Sequence, residues 1–172
     1  YGIDVARPVV IYTQHSIATE FAEAARQIEP SIEALARLAD ENMQVVMTFP
    51  NNDAGGASIA EKLRAMNVSG RENIQVHKSL GRYFYHGFLN LCGRVSKGVC
   101  VGNSSSGIKD TPAFGCPAVN IGERQKGRLR ASNVIDTGYD QDDIYAAVVK
   151  CVNDGSFRKR CAECENPYGT GG

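Results

Sequence analysis

Apolar residues along this chain fall into short β-branched runs separated by stretches with helical spacing. Val9–Tyr12, Val45–Phe49 and Ile74–His77 read as three strands, and Val99–Gly102, Pro117–Ile121 and Val134–Asp136 as three more. After the first strand, Phe21, Ala25, Ile28, Ile32, Leu35 and Leu38 recur at intervals of three and four, which predicts helix from about Thr19 to Asn42. Pro30 interrupts that stretch and is expected to split the helix or to open its second piece. Ile59, Leu63 and Met66 mark one face of a second helix, and Phe84, Phe88 and Leu91 suggest a third. A short helical segment runs from the serines at 104–106 to near Gly115, and Gln141–Val152 closes the pattern with Ile144, Val148 and Val152 on one side.

Strands that are apolar throughout, rather than at every second position, are covered on both faces. Alternating with helices, they predict an α/β domain, a Rossmann-like doubly wound parallel sheet. A length of 172 residues suits one well-buried domain, 1–172, and is too short for two ordinary ones. The tail Asn166–Gly172 reads as a turn-rich exit from the fold, as though cut off, and not as a terminus packed on a core.

Composition narrows the functional classes. Nineteen basic residues balance nineteen acidic ones, which argues against a nucleic-acid surface. No apolar run approaches a membrane span, and the N-terminus lacks the layout of a signal peptide, so a cytoplasmic protein is expected. Of the cysteines at 92, 100, 116, 151, 161 and 164, only Cys161 and Cys164 form a C-x-x-C, with no second pair at zinc spacing. Reduced core thiols are the expectation, without metal or disulfides.

In such a sheet, ligands bind beyond the carboxyl ends of the strands. Four polar, glycine-bearing or basic segments follow strands directly: His15, Asn51–Gly56, Ser104–Gly107 and Glu123–Arg130. The sharpest is Gly102-Asn103-Ser104-Ser105-Ser106-Gly107-Ile108, where a strand passes through hydroxyls and glycines into a helix. Free amides at a helix start, with serine hydroxyls beside them, suit an anion such as pyrophosphate. A plain serine cap explains the same residues equally well. Asp110 in the first turn either meets sugar hydroxyls or favours the helix dipole, and by itself the dipole reading is preferred. Arg124, Lys126, Arg128 and Arg130 would ordinarily be a solvated loop, but on the same rim as a phosphate site they gain a purpose. His15 can carry or donate a proton from its strand-end position, whereas His77 and His86 are read as structural.

These blocks together resemble the UDP-N-acetylglucosamine 2-epimerases. Gln14-His15-Ser16-Ile17-Ala18-Thr19-Glu20 resembles the family's Q-H-P-V-T-T-E, and Pro50-Asn51-Asn52-Asp53-Ala54-Gly55-Gly56 its P-N-N-D-A-G-G loop. Gly102–Ile108 matches G-N-S-S-S-G-I, and the stretch from Pro117 to Arg128 matches P-T-V-N-I-G-D-R-Q-K-G-R. Asn166-Pro167-Tyr168-Gly169 resembles the N-P-Y-G near the family's end. The blocks follow family order over nearly the whole chain.

The resemblance implies the C-terminal domain of a two-domain type B glycosyltransferase (GT-B) architecture, with the N-terminal domain missing. It implies that Ser104, Ser105, Ser106 and Gly107 hold a diphosphate, that Asp110 binds ribose, and that Arg124 and Arg128 bind the nucleotide. His15 matches a histidine required for turnover, Asp53 lies in a cleft-facing loop, and Phe88 is a candidate uracil contact. Ser16 departs from the family's proline, and Asp110 is one methylene shorter than the family's glutamate.

The implied ligand is UDP-N-acetylglucosamine or UDP. The implied reaction removes UDP with the C2 proton, giving a 2-acetamidoglucal, to which water adds to yield N-acetylmannosamine; the triple serine leans toward this hydrolysing branch. Its acidic catalytic residues belong to the other half, so this half alone is expected to be inactive. No cofactor is implied, and a homo-oligomer stays open. A glycosyltransferase donor-binding half and a non-catalytic UDP-sugar-binding module are the alternative readings.

Overall fold

A computed structural model of the chain describes residues 1–67 and 70–169. Strands β1 (Val9–Thr13), β2 (Gln44–Thr48), β3 (Ile74–His77), β4 (Val99–Gly102), β5 (Ala118–Ile121) and β6 (Val134–Thr137) form one sheet in the order β3-β2-β1-β4-β5-β6. Every neighbouring pair is parallel. β1, β2, β4 and β5 are buried along their whole length, because helices cover both faces. Alternate side chains divide between two cores. Val10, Tyr12, Val45, Met47, Val99 and Val101 face helices α1 (Ala24–Asp40), α2 (Gly56–Asn67), α5 (Gln141–Asn153) and α6 (Gly155–Ala162). Val9, Ile11, Val46 and Cys100 face α3 (Gly81–Asn90) and the π-helical turn Leu91–Val95 that follows it. The chain thus has the Rossmann-like doubly wound fold expected of it, and the sheet order reverses direction between β1 and β4.

The first helix departs from expectation. Pro30 neither breaks it nor opens it: α1 runs unbroken from Ala24 to Asp40 with Pro30 inside. The interruption falls earlier, where Ala18–Glu23 form a 3₁₀ stretch kinked at Glu20. Pro30 takes one bond from the helix, the one its missing N–H would give to the Arg26 carbonyl. Here the Gln27 carbonyl accepts the Gln14 side-chain amide at 3.3 Å, and the Gln14 Oε1 in turn accepts from Tyr12 Oη and Ser31 Oγ. That network ties the helix beside its proline to the segment after β1.

Past α5, the sequence patterning missed α6. Asp154 caps it by accepting from the Phe157 amide, and Arg158 anchors it. The Arg158 guanidinium donates to the carbonyls of Cys92, Ser96, Gly98 and Cys151, so one cation serves the π turn, the approach to β4 and the end of α5. The described tail is a mostly exposed turn, held to the fold by two hydrogen bonds. Asn166 Nδ2 donates to the Lys109 carbonyl at 3.0 Å and Tyr168 Oη to the Leu129 carbonyl at 3.1 Å; residues 170–172 lie outside the described residues.

All six cysteines are free, five of them buried. Burial pushes the Cys100 and Cys161 thiols up to about 12, which leaves them protonated core groups. Among the described residues, no helix is long and apolar enough to cross a membrane.

Candidate functional site

The reversal of strand order opens a crevice at the carboxyl ends of β1 and β4, and the predicted rim segments converge on it. Gly102 makes the approach possible. Its φ is +129°, and a Cβ placed on it would stand 1.9 Å from the Thr13 carbonyl oxygen, so the ends of β4 and β1 touch backbone to backbone. Beyond this point, Asn103 Oδ1 accepts from the His15 amide at 2.7 Å, while Asn103 Nδ2 donates to the His15 carbonyl at 2.9 Å. From the β5 side, Arg124 Nη1 and Gln125 Nε2 donate to the Asn103 carbonyl. From the β2 side, the Asn51 amide donates to His15 Nδ1 at 3.0 Å.

That last bond assigns the imidazole tautomer: with Nδ1 accepting, the neutral ring carries its proton on Nε2. Burial, and next the Arg124 guanidinium, hold the His15 pKa below the ordinary 6.5, opposed in part by the Asp53 carboxylate and the Asn51 side chain. A neutral, oriented histidine that donates a hydrogen bond is the result. The unfolded chain takes up a proton near pH 6.5 that folded His15 resists, so stability should fall as pH drops from 6.5 through the lower folded value. Melting temperatures followed from about pH 8 to 5 should show a shallower acid loss in His15→Gln than in the parent. Identical slopes would mean that His15 is not the group responsible.

A cavity of about 510 Å³ opens beside this cluster. Thr13 and His15 come to it from the end of β1, Thr48 and Phe49 from the end of β2, Lys78, Ser79 and Leu80 from the β3–α3 loop, and Gly81, Arg82, Tyr85 and His86 from α3. Ser104, Ser106 and Asp110 close the β4 side around the short helix α4 (Ser106–Lys109). The serines are not spent as caps, since Ser105 at the cap position makes no side-chain capping bond. Instead Tyr85 Oη lies 2.6 Å from Ser106 Oγ, which lies 3.1 Å from Ser104 Oγ. Among the described residues, the amides of Ser104, Ser105 and Ser106 donate to no protein acceptor. Free amides, linked hydroxyls and a carboxylate on one wall suit a ligand carrying both phosphate and vicinal hydroxyls.

The structure therefore brings together His15, Ser104, Ser106, Asp110 and Arg124, with the exposed Asp53 beside them, its carboxylate accepting from Asn51 Nδ2 at 2.6 Å. Ser105 and Gly107 belong to the same loop but do not line the cavity. Arg128 is exposed on the loop after β5, also outside the lining. Phe88 needs a correction as a base contact. It is 6 % exposed and packs in the core with Val9, Ile11 and Leu89, because its place on α3 faces the sheet. Further along α3, Tyr85 and His86 reach the cavity, the latter read from sequence as merely structural. Lys78, which directly follows β3 where the strand-end rule applies, and Arg82 in the first turn of α3 were also missed.

The sequence profile described as UDP-N-acetylglucosamine 2-epimerase matches residues 3–172. The chain belongs to that family. It is 32% identical over 131 residues to the Campylobacter jejuni GDP/UDP-N,N'-diacetylbacillosamine 2-epimerase (hydrolyzing), covering 76% of this chain and 32% of that protein. It is 29% identical over 157 residues to a Neisseria meningitidis UDP-N-acetylglucosamine 2-epimerase, covering 91% of this chain and 37% of the other. Among solved structures, the Neisseria meningitidis UDP-GlcNAc 2-epimerase bound to UDP-GlcNAc superposes with a TM-score of 0.71 at 15% identity, over 96% of this chain and 42% of that one. The S. aureus MnaA–UDP structure does so with a TM-score of 0.67 at 18% identity, over 95% and 41%. This family member spans between a third and under half of the length of the relatives it matches.

Proposed function

We propose that the chain is the UDP-binding, C-terminal half of a hydrolysing UDP-N-acetylglucosamine 2-epimerase of GT-B architecture. The observation that carries this reading is the cavity at the sheet's reversal point, with free Ser104–Ser106 amides, Asp110 and a neutral His15 around one space. In this reading the diphosphate lies against the serine loop and Asp110 accepts from the ribose hydroxyls. His15 Nε2–H donates to the departing β-phosphate as the C1–O bond breaks. The C2 proton leaves to a base on the opposing domain, a C1–C2 double bond forms, and water adds across it to give N-acetylmannosamine. Two relatives bear "hydrolyzing" in their names, which supports that branch. Free buried thiols fit a cytoplasmic setting.

The same reading makes this half a binder without turnover, since the base at C2 and a closed cleft need the opposing wall. Titration of the 172-residue chain with UDP should move amide resonances of Ser104–Ile108 and the Asp110 region, and the chain should release no UDP from UDP-GlcNAc, whereas the full-length enzyme does. Shifts confined to the amino ends of the strands would end the proposal.

Of the four cations after β5, Arg124 bonds the Asn103 carbonyl, Lys126 pairs with Glu123 at 3.0 Å and Arg130 with Asp136 at 2.8 Å. Arg128 makes no ion pair among the described residues, and its planar fork suits two phosphate oxygens at once. Arg128→Ala should therefore weaken UDP by about 1.5–3 kcal/mol, and Lys126→Ala by clearly less. Calorimetry of both variants decides the matter, and equal affinities for parent and Arg128→Ala would remove Arg128 from the site.

A further inference from the structure

Asn103 has no part in the binding scheme above, yet it is buried to 1 % exposure where three strand ends meet. Its amide donates to the Thr13 carbonyl at 3.1 Å, continuing the contact of β4 with β1 past the end of the sheet. Its side chain then pairs with both main-chain polar groups of His15, at 2.7 and 2.9 Å, as a neighbouring strand would. Its carbonyl receives Gln125 Nε2 at 2.8 Å and Arg124 Nη1 at 3.2 Å. Every polar group of this one residue is used, and each bond ends on a segment that holds or neighbours His15. The imidazole is fixed at Nδ1 by the Asn51 amide, and its backbone is fixed by Asn103. A histidine so held cannot turn its main chain without losing two buried hydrogen bonds.

We propose that Asn103 is a positioning residue, which clamps the backbone of His15 and seats Arg124 beside it so that the ring presents Nε2–H to the cavity. The proposal rests on the reading of His15 as proton donor to the departing phosphate. Asn103 itself does not line the cavity, so it acts through His15 and touches no ligand. The charged and titratable groups around the ring are Arg124 from the β5 side and Asp53 from the β2 side, with Lys78, Arg82, His86 and Asp110 across the cavity. Losing the side-chain clamp frees the ring to leave its buried place, which raises the affinity of His15 for a proton, while the Arg124 contact, made to the Asn103 main-chain carbonyl, stays.

The test uses full-length enzyme carrying Asn103→Ala, with Asn103→Ser as a second variant. UDP affinity by calorimetry should match the parent, while UDP release at saturating UDP-GlcNAc falls about 100-fold, the usual loss when a reacting group is misplaced by about an ångström. The His15 titration, followed by NMR of the ring, should move up toward the ordinary imidazole value. Parental turnover in the variants overturns the proposal, and so does a loss of UDP affinity in step with melting temperature, which would make Asn103 a fold residue only. A parent that releases no UDP ends the underlying reading instead, and the His15 titration then still decides whether Asn103 places the ring. Should neither variant fold, hydrogen exchange in the parent serves: the His15 amide must exchange far more slowly than the exposed Asn52 and Asp53 amides, and comparable rates overturn the clamp.

Discussion

Replacing His15 by alanine in the full-length enzyme is expected to cut UDP release by about 10²–10⁴-fold, the contribution of one well-placed proton donor. The ring is neutral and its Nδ1 is already occupied by the Asn51 amide, so only Nε2–H is left to face the cavity. Alanine removes that donor, while the half-buried position and the main-chain pairing with Asn103 leave the loop its shape. UDP affinity and melting temperature should change far less than turnover. Steady-state release of UDP, measured beside a thermal melt, separates the two. A variant that keeps near-parental release at a lowered melting temperature would show His15 to be a structural group.

The second large effect concerns the fold beneath the site. Gly102→Ala should cost roughly 3–5 kcal/mol, a large share of the 5–15 kcal/mol that holds such a domain together. The alanine Cβ meets the Thr13 carbonyl oxygen at 1.9 Å and its carbon at 2.7 Å, both main-chain atoms of a central strand. No side-chain rotation relieves that contact, and the φ of +129° adds strain for any residue with a Cβ. Gly107→Ala is the matched control, since its Cβ would meet only Cys100 Sγ, at 4.0 Å, within ordinary contact distance. Denaturant unfolding should place the Gly102 variant's midpoint far below the parent and leave that of Gly107→Ala close to it. Equal midpoints for the two variants would contradict the backbone contact between β4 and β1.

Those two glycines show how the sequence conveys and conceals the site. Parallel strands buried on both faces are apolar at every position, so β1, β2, β4 and β5 stand out in the chain with little error. The serine-glycine loop is equally plain, because glycine and hydroxyls directly after a strand are unusual in a core. α6 was hidden, since only Phe157 and Cys161 of its residues are buried and the rest of the helix is polar. Proline statistics point to a break at Pro30, yet the helix runs through it and is tied at Gln27 and Ser31 to Gln14. Phe88 shows the limit of motif transfer: its helical position faces the sheet, and Tyr85, part-way round the same helix, reaches the cavity. Asn103 was legible as a letter in a motif but not as a clamp, because its partner lies 88 residues away in the chain. Long-range pairings of this kind leave no local pattern.

The Arg158 clamp has a consequence for how the chain comes into being. Its carbonyl partners at Cys92, Ser96 and Gly98 lie some 60 to 66 residues upstream, and they form the approach to β4, from which the serine loop hangs. While the chain is being synthesised from its N-terminus, those carbonyls are made long before the guanidinium that satisfies them. Until α6 emerges and docks, those carbonyls lack the cation that serves them in the folded chain. The central strand beneath the candidate site is thus set early in sequence but finished late in time, by a residue near the end of the described chain. Synthesis halted just short of Arg158 would leave a chain with every site residue present and the scaffold beneath them unlatched.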